Sequence, residues 1–356
     1  MGRHRGEVTT YSRWSRADVP DVLPWDVYWE HPYSQAFAGL GDGTPGAFKY
    51  QHSDQTWFHV FLRRPIHDTG FTDLKTPYGY GGPLATTSDP DFLADAQTAF
   101  HTWAAGERIV TEFIRFHPLL ATQQYRCAPE TLIEKNRPTV WINLRRPWPD
   151  LLTEMTPNFR RGVRKGLAAG LICEEVSHQT GLPEFITAYH ATMSRVGARA
   201  YYLFSPEHFS QLGASELGLR LFRVHSRSRS HDRGTAWALL LSGNEWCHYH
   251  LGASDPSALA LRPNNVLFFG LLEALSQEGK CAGIHFGGGT TPDPDNSLFR
   301  FKASLGHDRA WFCTGKTVFL PEAHHELATA FPSDHSSTDD QGPPFPRYRI
   351  DDRFSG

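Results

Sequence analysis

Cysteine is scarce in this 356-residue chain. The five present (Cys127, Cys173, Cys247, Cys281 and Cys313) are scattered, with no CxxC pair among them. That spacing excludes a zinc ribbon and reads as reduced thiols rather than a disulfide framework. No apolar run approaches the roughly 18 residues a membrane-spanning helix needs. The first twenty residues have no apolar stretch of the kind a secretory signal requires. A soluble, cytoplasmic protein is the expectation. Neither sign of charge is in excess: the net value is −3, which excludes a generally basic nucleic-acid coat but allows a local basic patch. Lysine is rare, with seven against 28 arginines, so each lysine can be read individually. No GxSxG elbow and no Cys-His nucleophile signature appears. Direct attack of one substrate on another, without a covalent enzyme intermediate, is the simpler chemistry.

What is present is enough to build substantial cores: 40% of residues are hydrophobic and 13% aromatic. The length points to two domains of similar size. Residues 1–20 read as a flexible arm, 21–138 as a first domain, 139–330 as a second, and the Pro/Ser/Asp-rich 331–356 as a disordered tail. In the first domain, strands are expected at 47–51, 56–63 and 110–116, with a helix at 90–106. The Pro/Gly-rich segment 76–83 must be a shaped loop. In the second, a strand at 139–144 precedes one amphipathic helix over 147–169. Strands then fall at 171–175, 221–225, 235–242, 245–253 and 283–286. Helices are expected at 183–195, from Pro263 onward and at 297–305, and a strand pair at 310–313 and 317–320. Strands interspersed with helices give an α/β class built on mixed sheets (α+β in character) and covered by helices.

Candidate chemistry concentrates between residues 246 and 302. His248 and His250, two apart on a strand, share a face, and Tyr249 points to the other. A polar rank lining a cleft and a merely solvated strand face are both open readings. A metal set of His248, His250 and His285 lacks a nearby carboxylate at ligand spacing, so no metal is assigned. Asn264 or Asn265 is placed to cap a helix, leaving the other side chain for a ligand. Gly287-Gly288-Gly289 lets a ligand or another segment approach the backbone, and is not a GxGxxG loop. Lys302, flanked by Phe301, suits an anion or oxyanion in a partly dry site, or is an exposed helix cation. Arg160, Arg161, Arg164 and Lys165 form two i,i+4 pairs on a basic helix face, fit for phosphate or simply solvated.

These residues, taken in order with Trp25…His31-Pro32-Tyr33-Ser34, the loop Thr76–Pro83 and Phe113-Ile114-Arg115-Phe116-His117-Pro118, resemble the Fem family of aminoacyl-tRNA-dependent peptidyltransferases within the GNAT-like acyltransferases. The resemblance spans nearly all of residues 25–320. It implies two tandem GNAT-like domains with a cleft between them. It implies a reaction in which an amino group attacks the ester of an aminoacyl-tRNA, with no cofactor beyond that co-substrate. The position matching Lys302, with Phe301 beside it, is then where the acceptor end of tRNA and the oxyanion are handled. Tyr78 and Tyr80 would line the cleft with His248, Asn264 and Asn265. His250 or Tyr249 would guide the proton leaving the amine. A lysine that could grip a lipid-linked pyrophosphate is missing from 35–48, so a small amine or peptide acceptor fits at least as well as a cell-wall precursor. An acyl-CoA-dependent N-acyltransferase on the same fold is the alternative. A non-catalytic or metal-binding protein is a third reading.

Overall fold

The computed structural model describes residues 6–66, 68–214, 217–227, 234–331, 345, 346, 348 and 349. It divides into two units: residues 1–136 with 312–356, and residues 137–311.

The first unit holds β1 (Glu7–Tyr11), α1 (His31–Phe37), β2 (Thr44–His52), β3 (Gln55–Pro65), β4 (Thr72–Lys75), β5 (Leu84–Ala85), α2 (Pro90–Gly106) and β6 (Ile109–Arg115). The chain then runs along β7 (Leu132–Asn143) into the second unit. That unit comprises α3 (Trp148–Glu154), α4 (Pro157–Ala168), β8 (Leu171–Val176), α5 (His178–Arg195), α6 (Pro206–Ala214), β9 (Arg220–Ser226), β10 (Ala236–Ser242), β11 (Trp246–Ser254), α7 (Pro263–Glu278), β12 (Gly283–Gly287) and α8 (Ser297–Ala303). Finally β13 (Arg309–Val318) returns the chain to the first unit, where α9 (Pro321–Ala330) is the last helix among the described residues.

The two units repeat one plan. In the first the strand order is β1-β2-β3-β4-β6-β13, and in the second β8-β9-β10-β11-β12-β7. Each is antiparallel except for one parallel pair, β4 with β6 and β11 with β12. A parallel pair needs a long crossover, and α2 and α7 supply it. Each helix buries an apolar stripe in its own unit. Phe92, Ala96, Phe100 and Ala104 of α2 sit in the first core; Val266, Leu267, Leu271, Leu272 and Leu275 of α7 sit in the second. β10 reads Ala-Trp-Ala-Leu-Leu-Leu and is buried throughout, as a central strand covered on both faces must be.

Four expectations need correction. Residues 7–11 are not part of a loose arm: their Val, Thr and Tyr suit a strand, and β1 pairs antiparallel with β2 from Glu7 opposite Gln51 to Tyr11 opposite Ala47. Residues 312–330 belong to the first unit instead of the second, because Thr314–Val318 of β13 pairs with β6. The strand pair expected at 310–320 is this one strand. The single helix expected over 147–169 is two: Pro157 starts a new helix, N-capped by the Thr156 side chain, which accepts from the Phe159 N–H. Most of the expected tail, 331–356, lies outside the described residues. Within it, Tyr348 is fully buried, with its hydroxyl 2.7 Å from Thr111 Oγ1.

Candidate active site

Two features of the second unit shape the site. β11 and β12 pair only from Trp246 opposite Gly283 to His248 opposite His285, although β11 runs on to Ser254. At the same point β11 bulges: Leu239 faces Leu251 while Leu240 faces Tyr249, so His250 is the extra residue. The register of β12 against β7 also shifts, between His285 and Gly287. The parallel ladder therefore ends with backbone polar groups of β11 facing the exit of β12.

Lys302 reaches this point from α8. Asn296 caps that helix, its side chain accepting from the Leu298 and Phe299 N–H groups. The Lys302 ammonium donates to the Gly288 carbonyl at 2.8 Å and lies 5.7 Å from the Tyr249 ring centroid. With 6% of its surface exposed, it is among the most buried lysines of the chain, and burial brings its pKa down to about 7. Among the described residues it has no carboxylate partner, so nothing offsets desolvation of the charged form. An exposed helix cation is excluded.

Tyr249 lies against Phe268 and Phe286, with ring centroids 5.0 and 6.1 Å away. A Cβ on Gly252 would fall 1.7 Å from the Tyr249 hydroxyl, so glycine there is what admits the ring. Burial raises the phenol's pKa, so it stays a donor. His248 is buried, its ring 5.8 Å from that of His285. Burial, then His208 and His248, lowers the His250 pKa to about 3. The ring is neutral at physiological pH and a weak base. The bulge at His250 interrupts the period of two from which a shared face of His248 and His250 was expected, and the sequence did not show it. Among the described residues, the ligand atoms of His248, His250 and His285 do not gather within metal-binding reach. His59, Glu112 and Cys127 of the first unit do, within 4.8 Å. All three are fully buried, and His59 Nε2 is hydrogen-bonded to Glu112 Oε1 at 2.5 Å.

The basic helix divides. Phe159, Gly162, Val163 and Gly166 of α4 are buried at i, i+3, i+4 and i+7. A Cβ on Gly162 would meet Asn265 Nδ2 at 2.6 Å, and one on Gly166 would meet Val266 Cγ2 at 2.4 Å. Two glycines one turn apart thus bring α4 against the start of α7. Beside this contact opens a cavity of about 750 Å³ whose lining includes Arg161, Lys165, Arg262, Asn265, Arg300 and Phe301. Among the described residues, none of its four cations is paired with a carboxylate. Such a cluster is costly unless an anion completes it. Arg160 and Arg164, the other stripe of α4, do not line the cavity. Arg300 and Lys302 are two apart on α8, so their side chains point roughly 200° apart: Arg300 to the cavity, Lys302 to the strand exits.

The asparagines are not caps. α7 begins at Pro263, its N-cap position is Arg262 in the left-handed region (φ 63°), and no side chain caps it. Asn265 instead lies in the first turn, buried, donating to the Phe159 carbonyl at 3.3 Å. Asn264 is half-buried beside it. Pro263 brings no N–H, and the amides of Asn265 and Val266 both donate to the Arg262 carbonyl. Anion binding here therefore depends on side chains.

Phe301 packs against Phe159 and Phe268, with centroids 6.0 and 5.3 Å away. Tyr78 and Tyr80 belong to the first unit. The Tyr78 carbonyl accepts from the Tyr33 hydroxyl at 2.6 Å, and the Tyr80 ring lies 5.6 Å from Tyr28 and 5.9 Å from His117. Sequence reading missed Arg262 and Arg300. Their sole local signal was adjacency, to the Pro-Asn-Asn helix start and to Phe301-Lys302.

Residues 155–302, within the second unit, match the acetyltransferase (GNAT) domain family, and the match ends at Lys302. This segment of the second unit is therefore similar to a GNAT acetyltransferase domain. Over 84% of this chain and 93% of the FemX chain the fold is similar to that of FemX, at 14% identity and a TM-score of 0.65. The likeness to FemX is one of fold. Weaker similarity extends to the C-terminal domain of a putative lysylphosphatidylglycerol synthetase from Agrobacterium fabrum (15% identity, 73% and 80% covered, TM-score 0.49). It also extends to a tandem GNAT protein from the clavulanic acid biosynthesis pathway (10%, 88% and 99%, 0.48). No curated protein sequence matches significantly. No helix among the described residues is long and apolar enough to cross a membrane.

Proposed function

We propose that the protein forms an amide by transferring an aminoacyl group from tRNA to the amine of a small molecule or peptide. The observation that carries this reading is α8 itself, which within seven residues turns Arg300 toward a cavity of unpaired cations and buries Lys302 against the Gly288 carbonyl and the Tyr249 ring. Arg161, Lys165, Arg262 and Arg300 take phosphates of the tRNA acceptor end, and Phe301 offers a ring at the cavity wall. The acceptor nitrogen attacks the ester carbonyl carbon. The new C–N bond forms as the bond to the terminal ribose oxygen breaks, and the proton lost by the amine passes in net to that ribose oxygen. Lys302, with a pKa of about 7, holds a proton it can release to the leaving oxygen and then regain. Tyr249 keeps its proton and donates a hydrogen bond to the developing oxyanion. His250 at a pKa of about 3 accepts a hydrogen bond from the amine without becoming its base. No cofactor is needed.

The alternative donor is acyl-CoA, favoured by the GNAT match over residues 155–302. Against it stands the start of α7. A pyrophosphate held by backbone amides needs free N–H groups there, and Pro263 with the turned-in amides of Asn265 and Val266 supplies few. Purified protein incubated with charged tRNA, and separately with acyl-CoA, against a panel of amines decides the matter. Amide product with charged tRNA supports the proposal; product with acyl-CoA alone sinks it.

A further inference from the structure

We propose that Arg137, at the start of the second unit, is a positioning residue that holds Lys302 in place through the Gly288–Gly289 backbone. This rests on the role given to Lys302 above. The Arg137 guanidinium donates from Nη1 to the Gly289 carbonyl at 2.9 Å. Its stem packs against the next peptide: a Cβ on Gly288 would fall 3.1 Å from Arg137 Cδ and 2.9 Å from the Pro138 carbonyl. Gly288 is thus bare because the arginine stem and the backbone of β7 occupy its flank. The carbonyl of that same glycine accepts from Lys302 Nζ. Arg137 itself is buried, with 9% exposed, so its fork cannot swing freely into water.

The local strand geometry makes such a brace necessary. Beyond His285 the ladder of β12 with β11 has ended, and its register with β7 has slipped. Gly287 takes a positive φ of 71°. Gly287, opposite Val140, is the last residue of β12 paired with β7, and the two glycines after it have many accessible conformations. A bidentate-capable arginine fixed by its own burial is suited to select one. On the far side Asn296 closes the turn, since a Cβ on Gly289 would meet its Oδ1 at 2.6 Å. Gly288 is thereby pinned between Arg137 and the cap of the helix that bears Lys302.

The test has two arms. Lysine labelled with 13C is incorporated into wild type, Arg137→Met and Arg137→Lys, and the Cε shifts of the seven lysines are followed against pH, with Lys302→Met assigning the signal. Loss of the aligned carbonyl removes an interaction that favours the ammonium form. The Lys302 midpoint is expected to fall by about half a unit or more in Arg137→Met. Arg137→Lys, which keeps one donor, should recover part of that change. In the second arm Arg137→Met lowers kcat by about tenfold or more, with KM for charged tRNA changed less than about twofold. It lowers the residual activity of Lys302→Met no further. An unmoved Lys302 midpoint in folded Arg137→Met, or an equal loss of activity in both backgrounds, overturns the proposal. Should the Met variant not fold, Arg137→Lys and Arg137→Gln carry the same comparisons. The titration needs no donor, so a protein that makes no amide from tRNA yet shows the shift leaves Arg137 its place and removes the proposed reaction.

Discussion

Replacing Lys302 by methionine should change the pH dependence of folding as well as catalysis. A fall of the lysine pKa from 10.5 to about 7 means that the folded protein prefers the neutral amine. Between those two values the unfolded chain binds more protons, so stability rises with pH across the window and is lost as pH falls through about 7. Each pH unit inside the window is worth about 1.4 kcal/mol, or about 3 kcal/mol between pH 7.5 and 9.5. Methionine fills a similar volume and cannot titrate. Urea unfolding of wild type and Lys302→Met over that range should therefore give stability differences that shift by this amount, wild type gaining relative to the variant. Parallel curves would refute the buried neutral lysine whatever the enzyme's substrate. In the same variant kcat should fall by about a hundredfold or more if the lysine serves the leaving oxygen and oxyanion.

Three further outcomes follow from the geometry. Arg161→Gln and Lys165→Gln should each weaken charged-tRNA binding and flatten its log–log salt dependence by about 0.7 per lost phosphate contact; the same changes at Arg160 and Arg164, off the cavity lining, should flatten it less in a filter-binding titration. Gly252→Ala should destabilise by about 1–3 kcal/mol in urea unfolding because its methyl group overlaps the Tyr249 hydroxyl, and adding Tyr249→Phe should restore part of the loss. Acid unfolding should be shallower in His250→Gln: a histidine held at about 3 in the fold contributes stability that is present above pH 6.5 and lost as pH falls through about 3. Identical acid transitions for the two proteins would remove His250 from that balance.

Local patterns decided much of this protein. The apolar stripe of α7 and the buried run of β10 follow from patterns that a single segment carries, so these elements were legible, whereas the bulge that interrupts β11 at His250 was not. Phe301-Lys302 and the basic residues of α4 were visible for the same reason. The repeat between the units was legible only through the family resemblance, which implied tandem domains; it lies in strand order and crossover. Nor could the sequence assign residues 312–330, since β13 takes its place by pairing with a strand some two hundred residues earlier. Tertiary packing also made the chemical choices. It separated Arg161 and Lys165 from Arg160 and Arg164, turned Asn265 from cap to brace, and gathered Arg262 and Arg300 into one cavity. It buried Lys302 between a glycine carbonyl and a tyrosine ring. A lysine's charge state depends on the water and dipoles around it, and those arrive from β11, β12 and α8 only when the chain has folded.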